Sequence, residues 1–174
     1  MAKLPLTPPS PLWGTAADQS LHVVLVSPEI PPNTGTIARL CAATGAHLHL
    51  VEPLGFQLDD SQLKRAGLDY WPNVGLTLHQ DFAQVEAIFA RTKLHLFSTH
   101  ARQCYAECAY QPGDVLVFGR ETKGLDSELR LRFEDRLRWI PIRRTGVRSI
   151  NLACAVSCAL YEAWRQCDFA GAAD

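Results

Sequence analysis

The sequence predicts a single α/β domain with a mainly parallel sheet and helices on both faces. Three observations carry that expectation. Short, apolar, β-branched runs of strand length recur along the chain. Segments with helical spacing and capping residues separate them. Glycine or proline marks most of the junctions. Strand and helix in alternation favour a parallel sheet, because parallel neighbours need a long crossover that is usually a helix.

The first 20 residues, MAKLPLTPPSPLWGTAADQS, contain Pro5, Pro8, Pro9 and Pro11. These break up the apolar stretch that a signal peptide needs, so 1–20 reads as a Pro-rich, mobile tail. Residues 21–26, LHVVLV, read as a buried strand. In the turn S-P-E-I-P-P-N-T-G, Pro28, Pro31 and Pro32 exclude helix until about Asn33, and Asn33 or Thr34 is placed to cap it. That helix runs to about Thr44, where Gly45 supplies a stop. Residues 47–52 (HLHLVE) form a second strand, a helix over 59–66 ends at Gly67, and another helix lies near 81–91. Strands follow at 94–98 (LHLFS) and 114–118 (DVLVF), then the loop GRETKGL and a helix near 126–133. A last strand, 137–140 (LRWI), is ended by Pro141, and a long helix covers about 150–166 with Ser149 as its natural cap. The domain therefore spans 21–166, with 167–174 as a C-terminal tail.

Composition narrows the class of function without choosing it. The 174 residues, 47% of them hydrophobic, suit one domain with a sizeable core. Lys and Arg total 17 against 18 Asp and Glu, so any face that binds nucleic acid must be local. No apolar run is long enough to span a membrane. The pairs Cys104/Cys108 and Cys154/Cys158 are spaced by four, unlike the C-x-x-C of zinc and redox sites, and the six cysteines read as reduced, structural thiols of a cytoplasmic protein. Cys154 and Cys158, in an apolar helical run, read as small hydrophobes. The six histidines are scattered and read as structural or surface residues, with no metal site expected. G-x-S-x-G, H-E-x-x-H and the Walker loop are missing, which disfavours the corresponding hydrolase, zinc-protease and triphosphate-binding schemes.

Ligands of a parallel sheet sit beyond the carboxyl ends of its strands, which directs attention to the loops after Val26, Phe118 and Ile140. The first, N-T-G-T-I-A-R, puts Asn33 and Arg39 at or beside a helix start. That suits a phosphate or a sugar–phosphate backbone, although a capped helix with a solvated arginine has the same residues. The second, F-G-R-E-T-K-G-L, has Gly119 and Gly124 to let the backbone approach a ligand, and Glu121 between them. It suits a small ligand with amine and hydroxyl donors. The third carries Arg143, Arg144, Gly146 and Arg148 before S-I-N (149–151) opens an almost wholly apolar helix. Such a helix must be buried on several sides, which in so short a chain suggests a dimer interface as well as a core. Arg130, Arg132, Arg136, Arg138, Arg143, Arg144 and Arg148 cluster in the C-terminal third, opposed by Glu134 and Asp135, and Lys64 and Arg65 offer a second patch. Phosphate contacts there would make binding salt-dependent, while solvated charges are the plainer reading of any single one.

Read together, N-x-x-x-x-x-R (Asn33 to Arg39), F-G-x-E-x-x-G-L (Phe118 to Leu125) and I-P-…-R-S-x-N-L-…-A-V-…-Y-E (Ile140 to Glu162) resemble the three motifs of the SPOUT RNA methyltransferases. P-E-I-P-P-N-T-G, R-A-G-L-D-Y at 65–70 and Y-E-A-W-R-Q are similar to one subfamily, the tRNA (cytidine/uridine wobble 2′-O)-methyltransferases, which lack a separate RNA-binding domain. The resemblance covers 21–166. It implies a C-terminal trefoil knot, S-adenosylmethionine as methyl donor with S-adenosylhomocysteine as product, no metal, tRNA as partner, and a homodimer that shares its active site between chains. It implies a cofactor site lined by Phe97, Gly119, Ile140 and Ser149, with Glu121, Gly124, Leu125 and Leu152 near it. Asn33, Arg39, Glu121, Ser149 and Asn151 match the family's catalytic and binding polar positions. RNA contacts are expected at Arg65, Arg143, Arg144 and Arg148. A guanidinium holds its proton in proteins, so Arg39 is expected to bind the hydroxyl oxygen or a neighbouring phosphate rather than to act as a base. Two related alternatives are 2′-O-methylation of another tRNA or rRNA position and a catalytically idle RNA-binding module of the same fold. A nucleotide-binding α/β protein without an RNA role is a third.

Overall fold

The computed structural model describes residues 6–15, 17–58, 73–90, 93–143 and 145–173. Among them, β1 (His22–Val26), β2 (His47–Val51), β3 (Leu76–His79), β4 (Leu94–Phe97), β5 (Gln103–Cys104), β6 (Val115–Phe118) and β7 (Leu137–Trp139) form one sheet. Its order is β3-β2-β1-β6-β4-β7-β5, with every pairing parallel. The helices are α1 (Pro31–Thr44), α2 (Phe82–Ile88), α3 (Ser127–Arg132) and α4 (Leu152–Gln166).

Alternation along each strand sends side chains to two cores. Val23, Leu25, Leu48, Leu50 and Leu116 meet α1 and α4 on one face; Val24, Val51, Leu96 and Val117 meet α2 and α3 on the other. The chain thus adopts the expected single α/β domain with helices on both faces. Burying each such side chain is worth roughly 1.5–3 kcal/mol. A slip of one residue would exchange the two faces, so the apolar runs also fix the register.

Two helix starts differ from expectation, and both matter for the site. α1 begins at Pro31 rather than Asn33. Pro31 and Pro32 occupy the first turn, where a missing N–H costs nothing, and Ile30 is an N-cap without a side-chain cap. Asn33 and Thr34 therefore do not cap this helix. α4 begins at Leu152 and is capped by Asn151, whose Oδ1 accepts from the N–H of Ala153 at 2.8 Å and of Cys154 at 3.3 Å. Ser149, the expected cap, lies two residues further out. Gly45 ends α1 at φ 72°, as the sequence suggests. Asp81 and Asp126 cap α2 and α3.

Other differences follow from length and context. β3 and β5, not anticipated, are only four and two residues long. The expected tail packs against the domain over much of its described length: Thr7 N–H donates to Leu76 O on the β3 edge at 2.6 Å, and Trp13 lies on the imidazole of His47. Cys154 and Cys158, expected as small hydrophobes of a buried helix, are exposed together with Tyr161 on the outer face of α4. His22, His47, His49, His79 and His95 are buried, in keeping with a structural role. The helix expected over 59–66, the R-A-G-L-D-Y stretch with Arg65, and Arg144 lie outside the described residues. Among the described residues no helix is long and apolar enough to cross a membrane, and no group of three or more His, Cys, Asp or Glu is placed to hold a metal ion.

Candidate active site

The strand order turns around at β1, with β2 and β3 to one side and β6 to the other. The loops leaving β1 and β6 flank the crevice that this reversal opens. Glu121, on the β6 loop, bridges it. Its Oε2 accepts from the N–H of Glu29 at 2.8 Å; its Oε1 accepts from the N–H of Ile30 at 3.2 Å and from Asn33 Nδ2 at 3.1 Å. A carboxylate here complements the unpaired N–H groups and positive end of α1. Glu29 reciprocates, its Oε2 accepting from Thr122 N–H at 3.2 Å and from Thr122 Oγ1 at 2.7 Å. The third loop joins through Asn151, whose Nδ2 donates to Asn33 Oδ1 at 3.0 Å. Each amide therefore works at both ends, which fixes its orientation.

Loop 119–125 is tightly closed. Arg120 and Gly124 exchange backbone hydrogen bonds of 3.1 and 2.8 Å, and Gly124 has φ +66°. A Cβ on Gly119 would collide with the backbone of Gly124 and Leu125, so only glycine fits there. Beside this loop lies a cleft of about 490 Å³. The Phe97 and Phe118 rings, stacked at 4.5 Å, form part of its wall, with Leu125, Ile140 and Leu152. Apolar walls with a few polar groups at this size suit a small organic ligand.

All eight residues expected around a cofactor line this cleft: Phe97, Gly119, Glu121, Gly124, Leu125, Ile140, Ser149 and Leu152. Asn33 and Asn151 join them through Glu121. Arg39 is not among the lining residues and projects from the exposed side of α1, as do Pro32 and Thr36. Arg148 lines the cleft and Arg143 is exposed on the same loop. Glu29 and Phe118 are missing from the site as read from sequence. Glu29 stands in the quoted P-E-I-P-P stretch, but its partner Thr122 is 93 residues away. A second groove of about 790 Å³ adjoins the cleft through His100 and carries Arg102, Arg130 and Arg132 opposite Glu134 and Asp135.

Comparison with known proteins gives this architecture a family. The profile described as the SpoU rRNA Methylase family matches residues 20–161, spanning all three loops. The chain belongs to the SpoU methylase family. This SpoU family member is 49% identical over 152 residues to the tRNA (cytidine(34)-2'-O)-methyltransferase of Methylovorus glucosotrophus, covering 86% of this chain and 97% of that one. A solved structure concerned with the 2-OH methylation of C/U34 on tRNA is 47% identical, with a TM-score of 0.81 over 86% of this chain and 97% of its own. An AdoMet-bound rRNA methyltransferase from Sinorhizobium meliloti is 27% identical, with a TM-score of 0.73 over 85% of this chain and 57% of its own. The family read from the three motifs is thus the family to which the chain belongs. The SpoU match begins at residue 20 and leaves the docked N-terminal segment outside it.

Proposed function

We propose that the chain transfers a methyl group from S-adenosylmethionine to the ribose 2′-hydroxyl of nucleotide 34, the wobble position of a tRNA. The observation that carries this reading is the tie Asn151–Asn33–Glu121, which brings three loops distant in sequence together beside one cleft. The similarity to a tRNA (cytidine(34)-2'-O)-methyltransferase supports the substrate, and the AdoMet-bound relative supports the donor.

The residues present fit that donor. Phe97, Leu125 and Ile140 offer apolar walls for a base and an aliphatic chain, while the closed loop around Gly119 and Gly124 offers backbone donors and acceptors for polar ends. When bound, the donor supplies a methyl already activated on a sulfonium. The chain's own task is placement: the rigid loop holds one reactant, the basic surface holds the other, and keeping the two reacting atoms in line accounts for much of the acceleration. Asn33, Asn151 and Glu121 act as positioning residues that keep the loops in register. Ser149, on the cleft wall, is a hydrogen-bonding contact. Arg39 keeps its proton and stabilises the developing alkoxide or holds the adjacent phosphate, leaving the proton to a phosphate oxygen or water.

Arg39 lies outside the cleft of its own chain, which supports a homodimer as the working form. α1 packs on α4, whose exposed Cys154, Cys158 and Tyr161 form a strip that a second copy covers. In such a dimer Arg39 of one subunit serves the cleft of the other. The C-terminal trefoil knot and a cytoplasmic location belong to the same proposal. RNA passes over Arg143 and Arg148 at the cleft and on to the groove with Arg102 and Arg130, which makes binding weaken as salt rises.

Mixing two inactive variants tests this directly. Arg39→Ala and Gly119→Ala proteins are each expected to lose tRNA methylation, and their mixture to recover part of it, because a hybrid dimer keeps one intact site. A mixture as inactive as its parents contradicts the shared site; activity in Arg39→Ala alone contradicts the role of Arg39.

A further inference from the structure

Away from the cleft, on the sheet face that carries α2, lies a buried chain of imidazoles. His22 Nε2 is 2.9 Å from Asp18 Oδ2, His22 Nδ1 is 3.0 Å from His49 Nε2, and His49 Nδ1 is 2.9 Å from His79 Nε2. The Asp18 carboxylate can only accept, so His22 carries its proton on Nε2 and accepts on Nδ1. His49 must then donate from Nε2 and accept on Nδ1, and His79 must donate from Nε2. With all three imidazoles neutral, one tautomer satisfies every link, and every N–H in these links points towards Asp18. A parallel branch starts at His47, whose Nε2 lies 3.0 Å from Thr77 Oγ1; that hydroxyl donates to Thr7 O at 2.6 Å.

Both branches end on the N-terminal segment, at Asp18 and at Thr7. Between these points Trp13 covers the relay, with ring centroids 4.3 Å from His47, 5.0 Å from His49 and 5.5 Å from His22. Gly14 closes the approach: at φ +71° it passes so near Ile88 that a Cβ would collide with the carbonyl of that residue. Thr7 also bonds the backbone of β3, the edge strand of the sheet. The segment lies outside the SpoU match, so it is an addition to the matched domain.

We propose that residues 6–15 and 17–19 belong to a strap, latched over the sheet by buried histidines, and that acid unlatches it and bares the β3 edge. A proton added to His49 sets its Nδ1–H against the Nε2–H of His79 unless His79 moves its own proton to Nδ1, and in either case it leaves a charge buried beneath Trp13. A charge on His47 is opposed first by burial and then by His22 and His79; Asp18 alone acts in its favour. Burial lowers His79, with Asp81 beside it opposing this in part, and Phe89, just past the end of α2, faces the relay. Burial works against the Asp18 carboxylate, but its bonds to His22, Ser20 and Gly14 outweigh this and hold it below the usual range, so acid weakens this end too. In the released strap the histidines reach water and take protons near pH 6.5. Opening then rises by up to ~10-fold per pH unit for each histidine that gains a proton.

Hydrogen exchange of the full-length chain, corrected for the intrinsic effect of pH on exchange, reads the latch. Between pH 7.5 and 4.5, protection over 6–20 is expected to be lost well before that of β6, which falls only as far as the global stability does. Asp18→Ala is expected to release the segment at pH 7.5. Thr77→Val, which takes the hydroxyl from His47 but leaves the His22–His49–His79 chain in place, is expected to loosen the Thr7 end and to keep the pH dependence at Trp13. Loss of protection over 6–20 and β6 in parallel at every pH overturns the proposal, as does a segment that exchanges freely in the unaltered protein at pH 7.5. None of these outcomes depends on methyl transfer.

Discussion

Asn151 and Asn33 meet through a side-chain hydrogen bond of 3.0 Å although 118 residues separate them. The same two amides cap α4 and hold Glu121, so one contact sets the relative position of the three loops around the cleft.

Removing that contact should cost placement more than binding. Asn33→Ala leaves Asn151 Nδ2 and part of Glu121 without partners, a loss of about 1–3 kcal/mol for partly buried groups. A displacement of about 1 Å between reacting atoms can cost ~100-fold in rate. Steady-state kinetics should show a fall in kcat that exceeds the change in KM for the methyl donor. An equal change in both parameters assigns Asn33 to binding instead.

Glu121→Gln tests the charge on the bridge. The carboxylate accepts three hydrogen bonds, two of them from backbone N–H groups at the start of α1. An amide turns one acceptor into a donor facing a donor. Urea unfolding should show a loss of roughly 1.5–3 kcal/mol, the range for hydrogen bonds to charged groups.

Two glycines on the loops should respond in opposite ways. Gly119→Ala places a methyl against the backbone of Gly124 and Leu125, whereas a Cβ at Gly146 meets nothing within 4 Å. Calorimetric titration with S-adenosylmethionine should show binding lost in Gly119→Ala and kept in Gly146→Ala. Unchanged affinity in the former would place the donor elsewhere.

Acid should destabilise the fold through its histidines. His47 is pushed down to about 4, by burial first and then by the charges of His22 and His79. His49 is held well below its ordinary value by burial and then by His22, His47 and His79. Burial also lowers His79 and His95. The unfolded chain takes up protons near pH 6.5 while the folded chain resists them, so stability is fully present above 6.5 and is lost as pH falls from there towards 4. His47 alone accounts for on the order of 3 kcal/mol across that window. Urea midpoints measured from pH 7.5 to 4.5 should fall steadily, and His47→Gln should flatten the slope.

Much of this architecture is legible in sequence because the central strands are continuous apolar runs, HVVLV and VLVF, buried on both faces. β3 and β5 are too short to carry a period. The loops of the site are legible as motifs, but their mutual bonds are not. The sequence points to Ser149 as the cap of α4, whereas the fold uses Asn151, whose side chain also reaches Asn33, a residue 118 positions away. Prolines make residues 1–20 read as mobile, yet Trp13 and Asp18 find partners on β1 and β2 that only the folded sheet brings together.

Mass spectrometry of nucleosides and fragments from tRNA treated with the purified protein and S-adenosylmethionine tests the central claim most directly. The expected result is a 2′-O-methylated ribose at position 34, absent when Gly119→Ala protein is used. A methyl group on a base or at another position, or no transfer by a protein that binds both tRNA and donor, would contradict it.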